Sequence, residues 1–200
     1  MIASSWSHVY LGVTLSDNSE MGLLRFQSSF DSNNQVQWYQ SVDCTSSHSL
    51  CKITALTQSS ANADFLYAAS VVKDTAAGKT YGQLHHFGSN GAYYWTMQYE
   101  QGAASLASYY SATRIVMLNS AQRVVLVENV EGSSSAGSIQ ITKFTTVSNS
   151  DHNAVPSAGS VVAKRIGAAG NSYRVQDAIA HSSNANVVYL VVHDETTGSG

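Results

Sequence analysis

The chain has 200 residues, a net charge of −3, only 12% charged residues and a single proline, Pro156. That length can bury one domain core. The sparse, slightly acidic charge offers no electrostatic footprint for nucleic acid or an anionic membrane, and no run of 18 apolar residues predicts a membrane span.

In chain order the pattern predicts strands throughout. Ser7–Ser16 is a strand, Asp17–Glu20 a turn, Gly22–Phe30 a strand, Asp31–Asn34 a turn, and Gln35–Val42 and Leu50–Thr57 two more strands. A second copy follows, with strands at Phe65–Val72, Gln83–Phe87, Ala92–Tyr99 and Thr113–Leu118. A third has Val124–Val130, Ser138–Thr145, Ser160–Ile166 and Tyr173–Ala180, with its surplus length in the polar loop around Pro156. Val187–His193 stands last, as a lone first strand.

The copies are tied together by one sentence of sequence. Tyr81–Trp95 reads YGQLHHFGSNGAYYW: two alternating runs joined by Gly88-Ser-Asn-Gly91, residues that tolerate the positive φ of hairpin turns. Gly22–Trp38, GLLRFQSSFDSNNQVQW, repeats it, and GSIQITKF from Gly137 is a weaker third version. The first-strand residues Tyr10, Tyr67, Leu126 and Leu190 recur at intervals of roughly 60 residues, somewhat longer than known propeller blades. Four strands per unit is the blade of a β-propeller, so an all-β, propeller-like array of about three four-stranded antiparallel blades is expected, at 7–57, 65–118 and 124–180, with 187–193 opening a further blade.

These residues resemble the SBBP-type beta-propeller repeats of bacterial surface proteins and similar ciliate repeat proteins. The likeness rests on GLLRF with QVQW and on GQLHHF with AYYW, and it covers most of the chain. The third copy departs from it, with Ala163 where Trp38 and Trp95 stand in the others. The resemblance implies a surface or secreted repeat protein and carries no catalytic residues.

Candidate chemistry is thin. Cys44 and Cys51 flank a loop predicted to join the third and fourth strands of one blade; a disulfide across it suits an oxidising compartment, and two free thiols are the alternative. A metal site from Cys44, His48 and Cys51 lacks a fourth ligand. His85 and His86 are adjacent on a strand and point to opposite faces, one inward and one solvated. No nucleophile elbow, P-loop or metalloprotease motif occurs. The acidic turns Asp17–Glu20 and His193–Glu195 read as solvated turns. An active site at a propeller channel would have to draw on His8 and Asp64, beside Arg123 and Asn186.

Trp38 and Trp95 are equivalent, and with Tyr94 they form the candidate ligand-binding set. Packing between blades is the expected use of the tryptophans and a carbohydrate platform the alternative. The functional expectation is a non-enzymatic, extracellular or cell-surface structural propeller, a ring or filament subunit, without cofactor or metal. A lectin-like carbohydrate- or protein-binding propeller is the alternative. Met1–Ala3 matches the end of a fourth strand, so the partners expected are the rest of a longer chain or other copies associating head to tail.

Overall fold

The structure is a computed structural model describing residues 2–5, 8–15, 19–27, 35–59, 62–101, 106–118, 123–132, 138–144, 147–148, 150–157, 161–166, 172–184 and 186–195. Three antiparallel sheets follow one another, each a meander in chain order. The first holds β1 (Ile2–Ser5), β2 (His8–Thr14), β3 (Glu20–Gln27) and β4 (Gln35–Asp43). The second holds β5 (His48–Gln58), β6 (Phe65–Asp74), β7 (Lys79–Gly88) and β8 (Tyr93–Glu100). The third holds β9 (Ser108–Leu118), β10 (Arg123–Gly132), β11 (Ile139–Phe144) and β12 (Val161–Ile166), and a final pair joins β13 (Tyr173–Ala180) to β14 (Val188–Asp194). The first strands β5, β9 and β13 lie against one another in succession, as the inner strands of propeller blades do. Among the described residues no helix is long and apolar enough to cross a membrane, which says nothing about a strand-built barrel.

The layering is written into β6. Eight of its residues in a row are buried, because both faces of the second sheet are covered. Phe65, Tyr67 and Ala69 pack with Leu84, Ile115, Leu126 and Phe144 toward the third sheet. Leu66 and Ala68 pack with Tyr10, Leu23 and Phe87 toward the first. In β10 the same alternation sends Val124 and Leu126 one way, and Val125 and Val127 the other, onto Val175 of β13. Strand periodicity therefore becomes a stack of cores, one between each neighbouring pair of sheets.

The sheets begin one strand earlier than the sequence grouping expects. Ile2–Ser5 pairs with β2 as the first strand of its own sheet rather than ending a missing blade. Leu50–Thr57 lies within β5 and pairs with β6, not with the preceding strands. Val188–Asp194 is not a lone strand but pairs with β13. The cause is local: the connection between Asp43 and His48 leads out of one sheet, yet is as short as the Gly88–Tyr93 hairpin within the second sheet. The turn 31–34 and residues 196–200 lie outside the described residues.

Polar side chains stitch the sheets together. Gln101, after β8, takes both the N–H and the C=O of Tyr110 in β9. Asn129 of β10 does the same for Val175 of β13, at 2.8 and 2.9 Å. In each case a side-chain amide stands in for a neighbouring strand's backbone.

Cys44 and Cys51 form a disulfide, with Cα atoms 6.3 Å apart. It does not bridge a hairpin within one blade: it links the segment after β4 to β5, so it staples the first sheet to the second. Cys51 is buried against Met21 and Val72. With both sulfurs bonded, Cys44, His48 and Cys51 offer no thiolate to a metal. The bond closes a short loop, so reduction should cost about 2 kcal/mol. The check is denaturant unfolding with and without reductant, and two reactive thiols in the untreated, denatured chain would contradict the linkage.

Candidate functional site

Four segments converge on a recess of about 220 Å³ at one end of the second sheet, lined by Asp64, Gly88, Ser89, Asn90, Tyr94 and His152. Asp64 stands just before β6, where its N–H donates to Asn62 Oδ1 at 3.0 Å in a small turn. Ser89 and Asn90 occupy the β7–β8 turn. Gly91 has φ +90° there, the left-handed conformation a glycine adopts without strain. Gly91 is also pressed upon by the Trp38 ring: an added Cβ would lie 2.9 Å from it. Asn90 Oδ1 accepts the Ala92 N–H at 3.0 Å, which fixes the amide and leaves its NH2 without a partner among the described residues.

The wall between Asp64 and the turn is made by two bonds. The Ser89 hydroxyl donates to Asp64 Oδ1 at 2.6 Å, and the Ser89 N–H donates to the Asp64 carbonyl at 3.1 Å. From the first sheet, Trp38 Nε1–H and the Arg25 guanidinium both donate to the Ser89 carbonyl, at 3.1 and 2.9 Å. The turn is therefore clamped from outside, and Asp64 keeps one carboxylate oxygen for another partner.

His152 arrives from the segment between β11 and β12. That segment is pinned by buried Val147 and by the Tyr67 hydroxyl, which donates to the Ser148 carbonyl at 2.8 Å. The His152 ring lies between Phe65 and Tyr94, stacked on each at 4.2 Å between centroids with planes 12° apart. Its Nδ1 is 3.0 Å from Nε2 of His86, and His86 Nδ1 is 3.2 Å from the Leu66 carbonyl. Burial drops the His86 pKa to about 4, helped by His152 and opposed by the Leu66 bond. Both His85 and His86 are buried, at 0% and 1% exposure. The expectation of one solvated histidine fails because sheets cover both faces. His85 bonds Ser70 at 2.8 Å and Thr96 at 2.6 Å on the side facing the first sheet.

Of the three aromatic residues expected to bind ligand, the structure brings only Tyr94 to the recess. Trp95 is 7% exposed in the core between the second and third sheets. Trp38 is half-buried at the boundary of the first and second sheets, packed on Tyr10 and on the turn. Both fill space between sheets because equivalent positions on successive sheets face the same kind of interface. His8 and Arg123 open the second strands of their sheets, and Asp64 and Asn186 stand just before theirs; of the four, Asp64 lines the recess and the others do not. Arg123 instead donates to Asn186 at 2.5 Å beside a second cavity of about 240 Å³. That cavity is floored by Val125, Ile141, Val188 and Leu190 and is the gap between the third sheet and β13–β14.

No family model matches the chain, and no curated protein matches it. It is similar to the solved structure of a Penicillium chrysogenum alpha-L-arabinanase complexed with arabinobiose, with 8% sequence identity and a TM-score of 0.50. The likeness covers 96% of this chain and 54% of that one, so the chain spans about half the length of the structure it resembles. That protein is a β-propeller, and the class shared is the fold alone. It is also an enzyme, which overturns the expectation that a propeller of this kind is not one: the fold gives no ground for excluding catalysis.

Proposed function

We propose that the chain is a carbohydrate-binding propeller and that the recess at Asp64, Ser89, Asn90, Tyr94 and His152 holds one sugar unit. The observation that carries this is the set of unpaired polar groups converging there. A carboxylate oxygen of Asp64, the Asn90 NH2, the Tyr94 hydroxyl and one His152 nitrogen have no partner among the described residues. Sugar hydroxyls donate and accept in turn, and such a mixed set satisfies them. The recess is smaller than the usual ~300–1,000 Å³ of small-molecule clefts, which suits one residue of a chain rather than a whole oligosaccharide. The arabinobiose in the similar propeller supports the same ligand class.

The Cys44–Cys51 disulfide supports an oxidising, extracellular setting, and the SBBP-type likeness points the same way. An assembly of copies, or a longer array, is supported by Ile179, Tyr189 and Val191, which stand 66%, 55% and 61% exposed on β13–β14. Titration with arabinobiose should shift the amide resonances of Ser89, Asn90 and His152. Asp64→Ala should weaken binding at least tenfold while changing stability by less than about 1 kcal/mol, since the residue is exposed. Unchanged affinity in Asp64→Ala would defeat the assignment.

A further inference from the structure

We propose that His86 is a positioning residue for the recess: it fixes the tautomer of His152, so that His152 Nε2 presents a bare acceptor and the recess takes a neutral sugar in preference to an anionic one. This rests on the carbohydrate reading above. With both rings neutral, the chain of hydrogen bonds allows one proton arrangement. A carbonyl oxygen only accepts, so His86 Nδ1, 3.2 Å from the Leu66 oxygen, carries a proton. A neutral imidazole holds one proton, so His86 Nε2 is a lone pair. His152 Nδ1, 3.0 Å away, must then donate to it. That leaves His152 Nε2 unprotonated, and it is the only polar atom of the ring left for a ligand. The stack between Phe65 and Tyr94 holds the ring plane, so turning the ring over would break the bond to His86.

The surroundings keep His86 neutral. β6 turns Phe65 and Tyr67 toward it, β8 turns Tyr94 and Trp95, and none carries charge at neutral pH. The charged groups nearby are Asp64 in the recess, Asp151 beside His152, whose Oδ1 accepts the Asn153 N–H, and Arg25, tied to the Ser89 carbonyl. His85 lies on the opposite face, bonded to Ser70 and Thr96.

The selectivity follows from the donor and acceptor count. Two acceptors, the Asp64 carboxylate and His152 Nε2, face one amide donor and the Tyr94 hydroxyl. A ligand there has to bring hydroxyl protons. A sugar carboxylate or sulfate would set its oxygens against two lone-pair groups, one of them charged.

The test begins on the unliganded protein. Two-bond 1H–15N correlation spectra at pH 7 should show both His86 and His152 protonated at Nδ1, the opposite of the Nε2–H form that free neutral histidine favours. Either ring found as Nε2–H, or charged, overturns the proposal. His86→Phe keeps an aromatic ring and removes the relay; His152 should then revert to Nε2–H, and affinity for arabinobiose should fall at least tenfold. If that variant does not fold, the wild-type spectrum still decides. Nδ1–H rings with no response to any neutral sugar would uphold the positioning of His152 and reject the carbohydrate reading. A uronic-acid disaccharide bound as tightly as arabinobiose would overturn the selectivity.

Discussion

Glu128→Ala should remove about 4 kcal/mol of stability, a large part of what a domain of this size has. Glu128 is 1% exposed in β10, at the centre of the third sheet. Its carboxylate accepts from the Tyr99 hydroxyl at 2.8 Å, from the Gln140 amide at 3.0 Å and from the Thr142 hydroxyl at 2.5 Å. Tyr99 belongs to the second sheet, so the cluster binds two sheets together. Its ring also fills the space above Gly82, where an added Cβ would overlap it. Alanine leaves the Tyr99 and Thr142 hydroxyls without an acceptor, each costing on the order of 1–3 kcal/mol, takes one of the two acceptors of the Gln140 amide, which keeps Thr142 Oγ1 at 3.2 Å, and opens a cavity between the sheets. Glu128→Gln keeps the shape and most of the bonds, and should cost about 1 kcal/mol. Urea unfolding of the two variants checks this; equal effects would show that volume, not the hydrogen bonds, is what the position supplies.

Acid should destabilise the fold well before its surface carboxylates titrate. Burial holds His85 at about 3 and His86 at about 4, against 6.5 for a free histidine. Both folded values are depressed, so below pH 6.5 the unfolded chain takes up protons that the folded chain refuses. Stability is full above pH 6.5 and falls as the pH drops toward 4. At pH 4.5 the two residues together withdraw about 5 kcal/mol. Glu128 works in the opposite sense: burial raises its pKa above 4.5, so in acid the folded state holds a proton that the unfolded state releases. Asp74, held low first by the Ala77 N–H, and Asp177, held low first by Arg114, titrate below this window. The measurement is urea unfolding at pH 7 and pH 4.5 in a Glu128→Gln background, which silences the glutamate. A flat profile there would contradict the neutral, buried assignment of both histidines.

The strands were legible in the sequence because alternation and turn chemistry are local. Gly88-Ser-Asn-Gly91 turns where its residues require, with Gly91 at positive φ. Which four strands share a sheet was not legible. The Asp43–His48 connection and the Gly88–Tyr93 connection are equally short, and the partner ladder shows which of them leaves its sheet. Burial on both faces of β6 and β7 was equally hidden, so His85 and His86 read as one core and one surface residue. Glu128 did leave a signal, a carboxylate inside the apolar run VVLVENV, which demands buried partners wherever it falls. Of the site, Tyr94 was visible as an aromatic on a patterned strand. Ser89 and Asn90 read only as turn residues, and Asp64 stood out only as a carboxylate just before a strand, grouped with His8 rather than with His152. His152 comes from a polar loop 66 positions beyond His86, and nothing in that loop's composition announces where it lands.

The central claim, that the recess binds carbohydrate, is tested most directly by a crystal structure of the chain grown with arabinobiose at saturating concentration. A sugar ring is expected between Asp64 and Asn90, with one hydroxyl donating to the Asp64 carboxylate and another to His152 Nε2. Arabinobiose bound elsewhere on the molecule, with this recess holding only water, would contradict it.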